Sequence, residues 1–125
     1  MEGNRYEEGL KVRRAVLGDE YVDKAIKQAD EFTAPLQELV TDYCWGEIWT
    51  RPGLSKKTRS LINIAMLTAL NRPHEVKIHV RGALRNVCTK EEIQEVLLQT
   101  AIYCGVPAAV DSFRIAREVF GSGES

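Results

Sequence analysis

His79 stands among apolar residues at helical spacing, in the stretch ALNRPHEVKIHVRGALRN. Val76, Val80 and Ala83 share its face, so the imidazole is expected to point toward the interior of the fold. Glu75, one turn earlier, could fix the tautomer of this imidazole or raise its basicity. Two interpretations stay open at this point. His79 is either a core histidine with a hydrogen-bond partner or an acid–base group of an active site.

A second group of reactive and aromatic residues occurs in the stretch WGEIWTRPGLS. Glu47 falls between Trp45 and Trp49 in the last turn of a predicted helix, where the helix dipole disfavours a negative charge. Apolar walls would further favour the neutral acid, which then needs a cation or becomes a proton donor and acceptor near neutral pH. An exposed glutamate that happens to lie between aromatics is the alternative. Arg51 could bind a carboxylate ligand or cap the preceding helix carbonyls.

The bulk composition excludes several classes of protein. Seventeen basic residues against 18 acidic ones give a net charge of −1, which argues against a nucleic-acid binder. No run of 18 apolar residues predicts a membrane span, and the first twenty residues lack the apolar core of a signal peptide. We therefore expect a cytoplasmic protein, with residues 1–125 forming a single domain.

The three cysteines are Cys44, Cys88 and Cys104. An odd number with wide gaps does not fit a disulfide framework. The chain has no CxxC, and two histidines with scattered cysteines do not form a zinc pattern. We expect three reduced, largely structural thiols and no metal site.

Helical periodicity runs along the whole chain and predicts an all-α fold of about seven helices, because no segment alternates with the period of a strand. The predicted helices span residues 5–17, 19–30 with Asp19 as N-cap, 33–49, 56–71 after Ser55 as N-cap, 73–86, from the capping box Thr89–Glu92 to Gly105, and 107–120.

Two of the predicted helices carry unusual apolar surface. The 33–49 helix has Leu36, Leu39, Val40, Tyr43 and Cys44 on one side. The 56–71 helix is apolar almost all round, which is typical of a helix central to a core or an assembly. The all-round apolar 56–71 helix and surplus aromatic surface at Trp45 and Trp49 together favour an oligomer.

Three segments, WGEIWTRPGLS, HVRGAL and YCGVPAAVDSFR, resemble the carboxymuconolactone decarboxylase family, and the resemblance runs from about Tyr6 to Phe120. It implies the helical alkylhydroperoxidase-D-like fold and a homohexameric ring. It also implies decarboxylation of γ-carboxymuconolactone, without a cofactor, to the β-ketoadipate enol-lactone and CO2. That step belongs to the protocatechuate branch of aromatic degradation.

The resemblance further implies catalytic roles for His79 and Glu47 and substrate-binding roles for Arg51, Trp45 and Trp49. Arg51 would hold a substrate carboxylate. His79 would donate a hydrogen bond or proton as a dienolate forms. Glu47 would either return a proton to carbon or set the state of His79. The lactone accepts the electrons that CO2 leaves behind, so no metal or organic cofactor is implied.

Two alternatives keep the fold and change the chemistry. One is the decarboxylase fold acting on another small carboxylated metabolite. The other is a peroxidase or disulfide reductase of the alkylhydroperoxidase-D type. Redox members of that superfamily carry a CxxC whose second cysteine precedes a histidine by four residues. When His79 is matched to that histidine, Arg72 and Glu75 occupy the cysteine positions, which disfavours thiol chemistry.

Overall fold

The computed structural model describes residues 2–122, with side chains from residue 4 onward, and these residues form helices without any strand. The prediction of an all-α fold with seven helices is confirmed. The helices are α1 (Glu2–Leu17), α2 (Asp19–Gln28), α3 (Ala34–Leu39) continued by a π-helix (Val40–Ile48), α4 (Lys56–Ala69), α5 (Pro73–Arg85), α6 (Lys90–Tyr103) and α7 (Val106–Gly121). None of the described helices is long and apolar enough to cross a membrane.

The chain divides into two compact units, residues 1–54 (unit 1) and residues 55–125 (unit 2). Unit 1 contains α1 to the π-helix, and unit 2 contains α4 to α7. That the whole chain forms a single domain stays a prediction.

Helix ends follow local sequence signals in most places. The Ser55 hydroxyl accepts a hydrogen bond from the Thr58 N–H at 3.0 Å, as expected of an N-cap. The capping box of Thr89 and Glu92 is also confirmed. The prediction of Asp19 as N-cap is wrong. Gly18 takes that position at a φ of 91°, which favours glycine, so the helix begins at Asp19 itself.

In unit 1, α1 packs so closely against the π-helix that the two backbones are in contact. A Cβ atom on Gly9 would lie 2.1 Å from the carbonyl oxygen of Thr41, and one on Gly46 would lie 2.5 Å from the carbonyl oxygen of Arg5. No side chain fits in either place. The two glycines therefore set how closely α1 approaches the π-helix.

The predicted 33–49 helix differs from the structure in its helix type. It is an α-helix only as far as Leu39, and the N–H of Trp49 then bonds the carbonyl of Cys44 at 3.0 Å, five residues back. Helix α1 covers the side that contains Gly46. The exposed side carries Leu36, Leu39 and Tyr43, and the buried side carries Thr41, Trp45, Gly46 and Trp49.

In unit 2, α4 to α7 enclose an apolar core. On α5, Val76, Val80 and Ala83 are buried in this core, as the spacing predicts. One hydrogen bond, between the hydroxyls of Thr68 and Ser112 at 2.8 Å, satisfies two polar groups buried in the same unit. The other core residues are Ile64, Cys88, Ile93, Leu97, Ile115, Ala116 and Val119.

Candidate active site

Glu47 lies in the last turn of the π-helix, where two arginines flank its carboxylate. Oε1 is 3.7 Å from Nη1 of Arg5, and Oε2 is 3.6 Å from Nη1 of Arg51. Both separations exceed hydrogen-bond length, so the contacts are electrostatic and leave the carboxylate oxygens able to bond elsewhere. Two cations, the guanidinium groups of Arg5 and Arg51, therefore lie beside Glu47 within unit 1.

Arg5 is a neighbour of Glu47 that sequence reasoning missed. Its Nε donates to Oδ1 of Asp42 at 3.2 Å and its Nη2 donates to Oδ2, so the two side chains form a bidentate pair. This hydrogen-bonded guanidinium holds the pKa of Asp42 below its usual range. The available signal was Gly46, since a glycine inside a helical pattern indicates a close approach of another backbone.

The π-helix explains why one arginine reaches both acidic residues. In an α-helix, side chains five residues apart, such as Asp42 and Glu47, point in widely different directions. In a π-helix the hydrogen bonds join residues five apart, so these two side chains lie on the same side, one turn from each other. The change of helix type thus creates the double contact of Arg5.

Trp45 and Trp49 lie in the interior of unit 1, with only 3% and 4% of their surfaces exposed. Their rings stack with centroids 4.6 Å apart and planes inclined by 28°. The expectation of surplus aromatic surface at these two residues is therefore wrong. Their predicted substrate-binding role stays a prediction, and their burial leaves little of either side chain exposed to a ligand.

Arg51 follows the π-helix, and its side chain is 62% exposed. Its guanidinium is directed at Glu47, one turn back, in a pair that solvent screens strongly. A carboxylate arriving from solution can compete for such an exposed cation. The position is compatible with the predicted role in binding a substrate carboxylate.

His79 lies on α5 of unit 2, partly buried beside Val76 and Val80. Burial lowers its pKa to about 4, while the negative charge of Glu75 acts in the opposite direction. Glu75 thus has the predicted effect on basicity, but desolvation outweighs it. At neutral pH the imidazole is neutral, with one N–H to donate and one nitrogen able to accept a proton. His74 is exposed, as predicted.

The three cysteines are free thiols, as expected. Burial raises the pKa values of Cys44 and Cys88, which disfavours the thiolate that peroxidase or reductase chemistry requires. Cys104 is exposed. Two exposed residues occupy the cysteine positions of the redox superfamily members. They are Arg72, the N-cap residue of α5, and Glu75, in the first turn of that helix.

Comparison with known proteins gives a consistent result. The model of the Carboxymuconolactone decarboxylase family matches residues 34–118. A 4-carboxymuconolactone decarboxylase of Acinetobacter baylyi is 40% identical over 116 residues, which cover 93% of this chain and 87% of the relative. A nitrosuccinic acid decarboxylase of Metarhizium robertsii is 42% identical over 113 residues, which cover 90% of this chain and 79% of the relative. A 4-carboxymuconolactone decarboxylase of Pseudomonas putida is 41% identical over 46 residues, which cover 37% of this chain and 96% of that sequence.

Proposed function

Because the chain belongs to the carboxymuconolactone decarboxylase family and is a decarboxylase, we propose that it converts γ-carboxymuconolactone to the β-ketoadipate enol-lactone and CO2. The observation that carries this proposal is the 40% identity, over 93% of the chain, to an enzyme named for that substrate. The matched family region, residues 34–118, includes Glu47, Arg51 and His79.

The proposed reaction needs no electron sink besides the substrate. The bond between the γ carbon and its carboxylate breaks, CO2 leaves, and the electron pair passes through the ring into the lactone carbonyl. The resulting dienolate then takes a proton at a ring carbon. The protein must bind the carboxylates, stabilise the negative charge that develops on the lactone oxygen, and return one proton.

His79 supplies the group that stabilises the developing charge. A neutral imidazole donates a hydrogen bond to the lactone oxygen. Because it carries no charge, it does not form an ion pair with the substrate carboxylates, as a cationic side chain would. Burial in unit 2 supports this state, because it keeps the imidazole neutral at the pH of a cell. Arg51 binds a substrate carboxylate through its exposed guanidinium.

Glu47 returns the proton to carbon once Arg51 has exchanged from the Glu47 carboxylate to a substrate carboxylate, so that one of its two neighbouring cations has left. Its side chain is 39% exposed, so its carboxyl group can exchange protons with water between turnovers. The two flanking arginines orient the group without forming hydrogen bonds that would occupy its oxygens. Setting the state of His79 is the alternative role for Glu47.

The direct test is CO2 release from enzymatically generated γ-carboxymuconolactone by the purified protein, with a chelator present and no added cofactor. The proposal predicts catalytic turnover with stoichiometric formation of the enol-lactone. The absence of CO2 from folded protein, verified by circular dichroism, would contradict the proposed substrate.

Nitrosuccinic acid is a second candidate substrate, favoured by the 42% identity to a decarboxylase named for it. The chemistry is parallel, because a nitro group accepts the electron pair left by a departing carboxylate, as a lactone carbonyl does. Both compounds are small and carry two carboxylates. The same binding and charge-stabilising groups therefore suit either compound.

We also propose that the protein is a homohexamer. Support comes from an exposed apolar stripe on α4, where Ile62 is 39% exposed, Met66 50% and Leu70 65%, and from Ile102 of α6, which is 78% exposed. Association would remove this surface from water. Light scattering should give the mass of six chains, and a stable monomer at micromolar concentration would contradict the proposal.

A further inference from the structure

Arg5 contacts both acidic side chains on one side of the π-helix. Two of its guanidinium nitrogens, Nε and Nη2, bond the two oxygens of Asp42. The third nitrogen, Nη1, faces Oε1 of Glu47 at 3.7 Å. Because a guanidinium is planar and rigid, a bidentate pair with Asp42 also fixes the direction of Nη1.

The backbone fixes Arg5 as firmly as its side chain does. A Cβ atom on Gly46 would lie 2.5 Å from the carbonyl oxygen of Arg5 and 3.0 Å from its Cγ. Arg5 therefore rests directly on the residue that precedes Glu47 in the chain. Its position relative to the Glu47 carboxylate is determined at two points, Gly46 and Asp42.

The two arginines beside Glu47 are held differently. Arg51 is 62% exposed and contacts Glu47 across 3.6 Å, so a ligand carboxylate can draw it away at small cost. Arg5 is 39% exposed and is anchored by Asp42, whose own side chain is 23% exposed. An arriving substrate would therefore displace the contact of Arg51 and leave that of Arg5.

We propose that Arg5 is a positioning residue, which holds the Glu47 carboxyl in place for proton transfer while Arg51 exchanges from Glu47 to a substrate carboxylate. The inference rests on the proposed function, because it takes Glu47 as the group that returns the proton. Arg5 acts through Glu47 and has no contact with the substrate in this scheme.

A double-mutant cycle with the full-length protein tests the inference. Steady-state kcat and KM for γ-carboxymuconolactone are measured for the wild type, Arg5→Met, Glu47→Gln and the double variant. Arg5→Met should lower kcat about 10- to 100-fold with little change in KM, the scale expected when a catalytic group loses its orientation. The double variant should have the same kcat as Glu47→Gln alone, because Arg5 has nothing left to position.

Arg114→Met is the matched control. Arg114 on α7 also contacts two carboxylates, those of Asp111 at 2.7 Å and Glu118 at 2.8 Å. Its removal should leave kcat within about twofold of the wild type, since an exposed ion pair contributes little to the fold. If Arg5→Met does not fold, Asp42→Asn takes its place, because it loosens the anchor and leaves both Arg5 and Glu47 intact.

Unchanged kcat in a folded Arg5→Met protein would overturn the inference, as would losses that multiply in the double variant. Wild-type kcat in Glu47→Gln would overturn it too, and would place the error in the role of Glu47. If the wild type releases no CO2 from the lactone, the proposed substrate is wrong. The same cycle with nitrosuccinic acid then tests Arg5 separately.

Discussion

In unit 1, Glu47 is 39% exposed and faces the guanidinium groups of Arg5 and Arg51. In unit 2, His79 lies on a helix face beside the buried residues Val76 and Val80, and burial lowers its pKa to about 4. Neighbouring cations and water thus surround one candidate acid–base group, while desolvation acts on the other. The comparison teaches that one small chain places a carboxylate among exposed cations and removes an imidazole from water.

The interiors of the two units differ in the same way. The core of unit 1 contains Arg13, which is 5% exposed and whose Nη1 donates to Gln37 at 3.0 Å and to Thr41 at 3.1 Å. Burial lowers the pKa of this guanidinium. The core of unit 2 is a continuous apolar cluster. Unit 1 therefore buries a charged group among apolar residues that include Trp45 and Trp49, whereas the buried polar groups of unit 2 are hydroxyls.

The largest effect on kcat is expected from removing the imidazole of His79. His79→Ala should lower kcat at least about 100-fold, the usual scale for the loss of an acid–base group, with the helical circular dichroism spectrum retained. His74→Ala, an exposed change on the same helix, is the control and should retain wild-type kcat. Comparable rates for the two variants would show that His79 is a core residue only.

Gly9→Ala should disrupt unit 1, because its Cβ would lie 2.1 Å from the carbonyl oxygen of Thr41. We expect the free energy of unfolding to fall by about 1–3 kcal/mol or more, as for an overpacked core. Chemical denaturation measures the change, and Gly53→Ala is the control, since a Cβ there has no atom within 4 Å. Equal stability of the two variants would contradict the close packing of α1 on the π-helix.

Arg51→Ala should raise KM about 10-fold and change kcat much less, because an exposed cation that binds a substrate carboxylate contributes to ground-state binding. Steady-state kinetics on the lactone separates the two parameters. Adding salt should raise the wild-type KM and leave the variant nearly unaffected, since screening weakens an exposed ion pair. A large fall in kcat with unchanged KM would assign Arg51 to the chemical step instead.

The last prediction concerns the pH dependence of stability. The folded-state pKa of His79, about 4, lies below its ordinary value of 6.5, so between these two values the unfolded chain binds more protons than the folded one. The free energy of unfolding should therefore fall as the pH drops from 6.5 to 4. His79→Gln should lose this part of the pH dependence in denaturation titrations, whereas His74→Gln should keep it. Identical slopes in both variants would contradict the desolvation of His79.

The sequence predicted unit 2 better than unit 1, for a physical reason. The cap at Ser55, the capping box at Thr89 and the inward face of α5 depend on residues a few positions apart, which periodicity and cap chemistry detect. The approach of α1 at Gly9 and the double contact of Arg5 depend on contacts between distant parts of the chain.

The π-helix is another feature of unit 1 that local sequence patterns did not predict. Over nine residues the apolar pattern fits an α-helix as well, so neither the exposure of Leu39 nor the burial of Trp45 could be predicted. The roles of Glu47, Arg51 and His79 came from the family resemblance and stay predictions. The inward direction of His79 was predicted, but the sequence could not show that desolvation outweighs the effect of Glu75 on its pKa.

The most direct test of the account is the ratio of kcat/KM for γ-carboxymuconolactone and nitrosuccinic acid, measured on one preparation of the wild-type protein by CO2 release. The account predicts that the lactone is turned over with the higher kcat/KM. A higher value for nitrosuccinic acid would contradict the proposed substrate and leave the fold and the family unchanged.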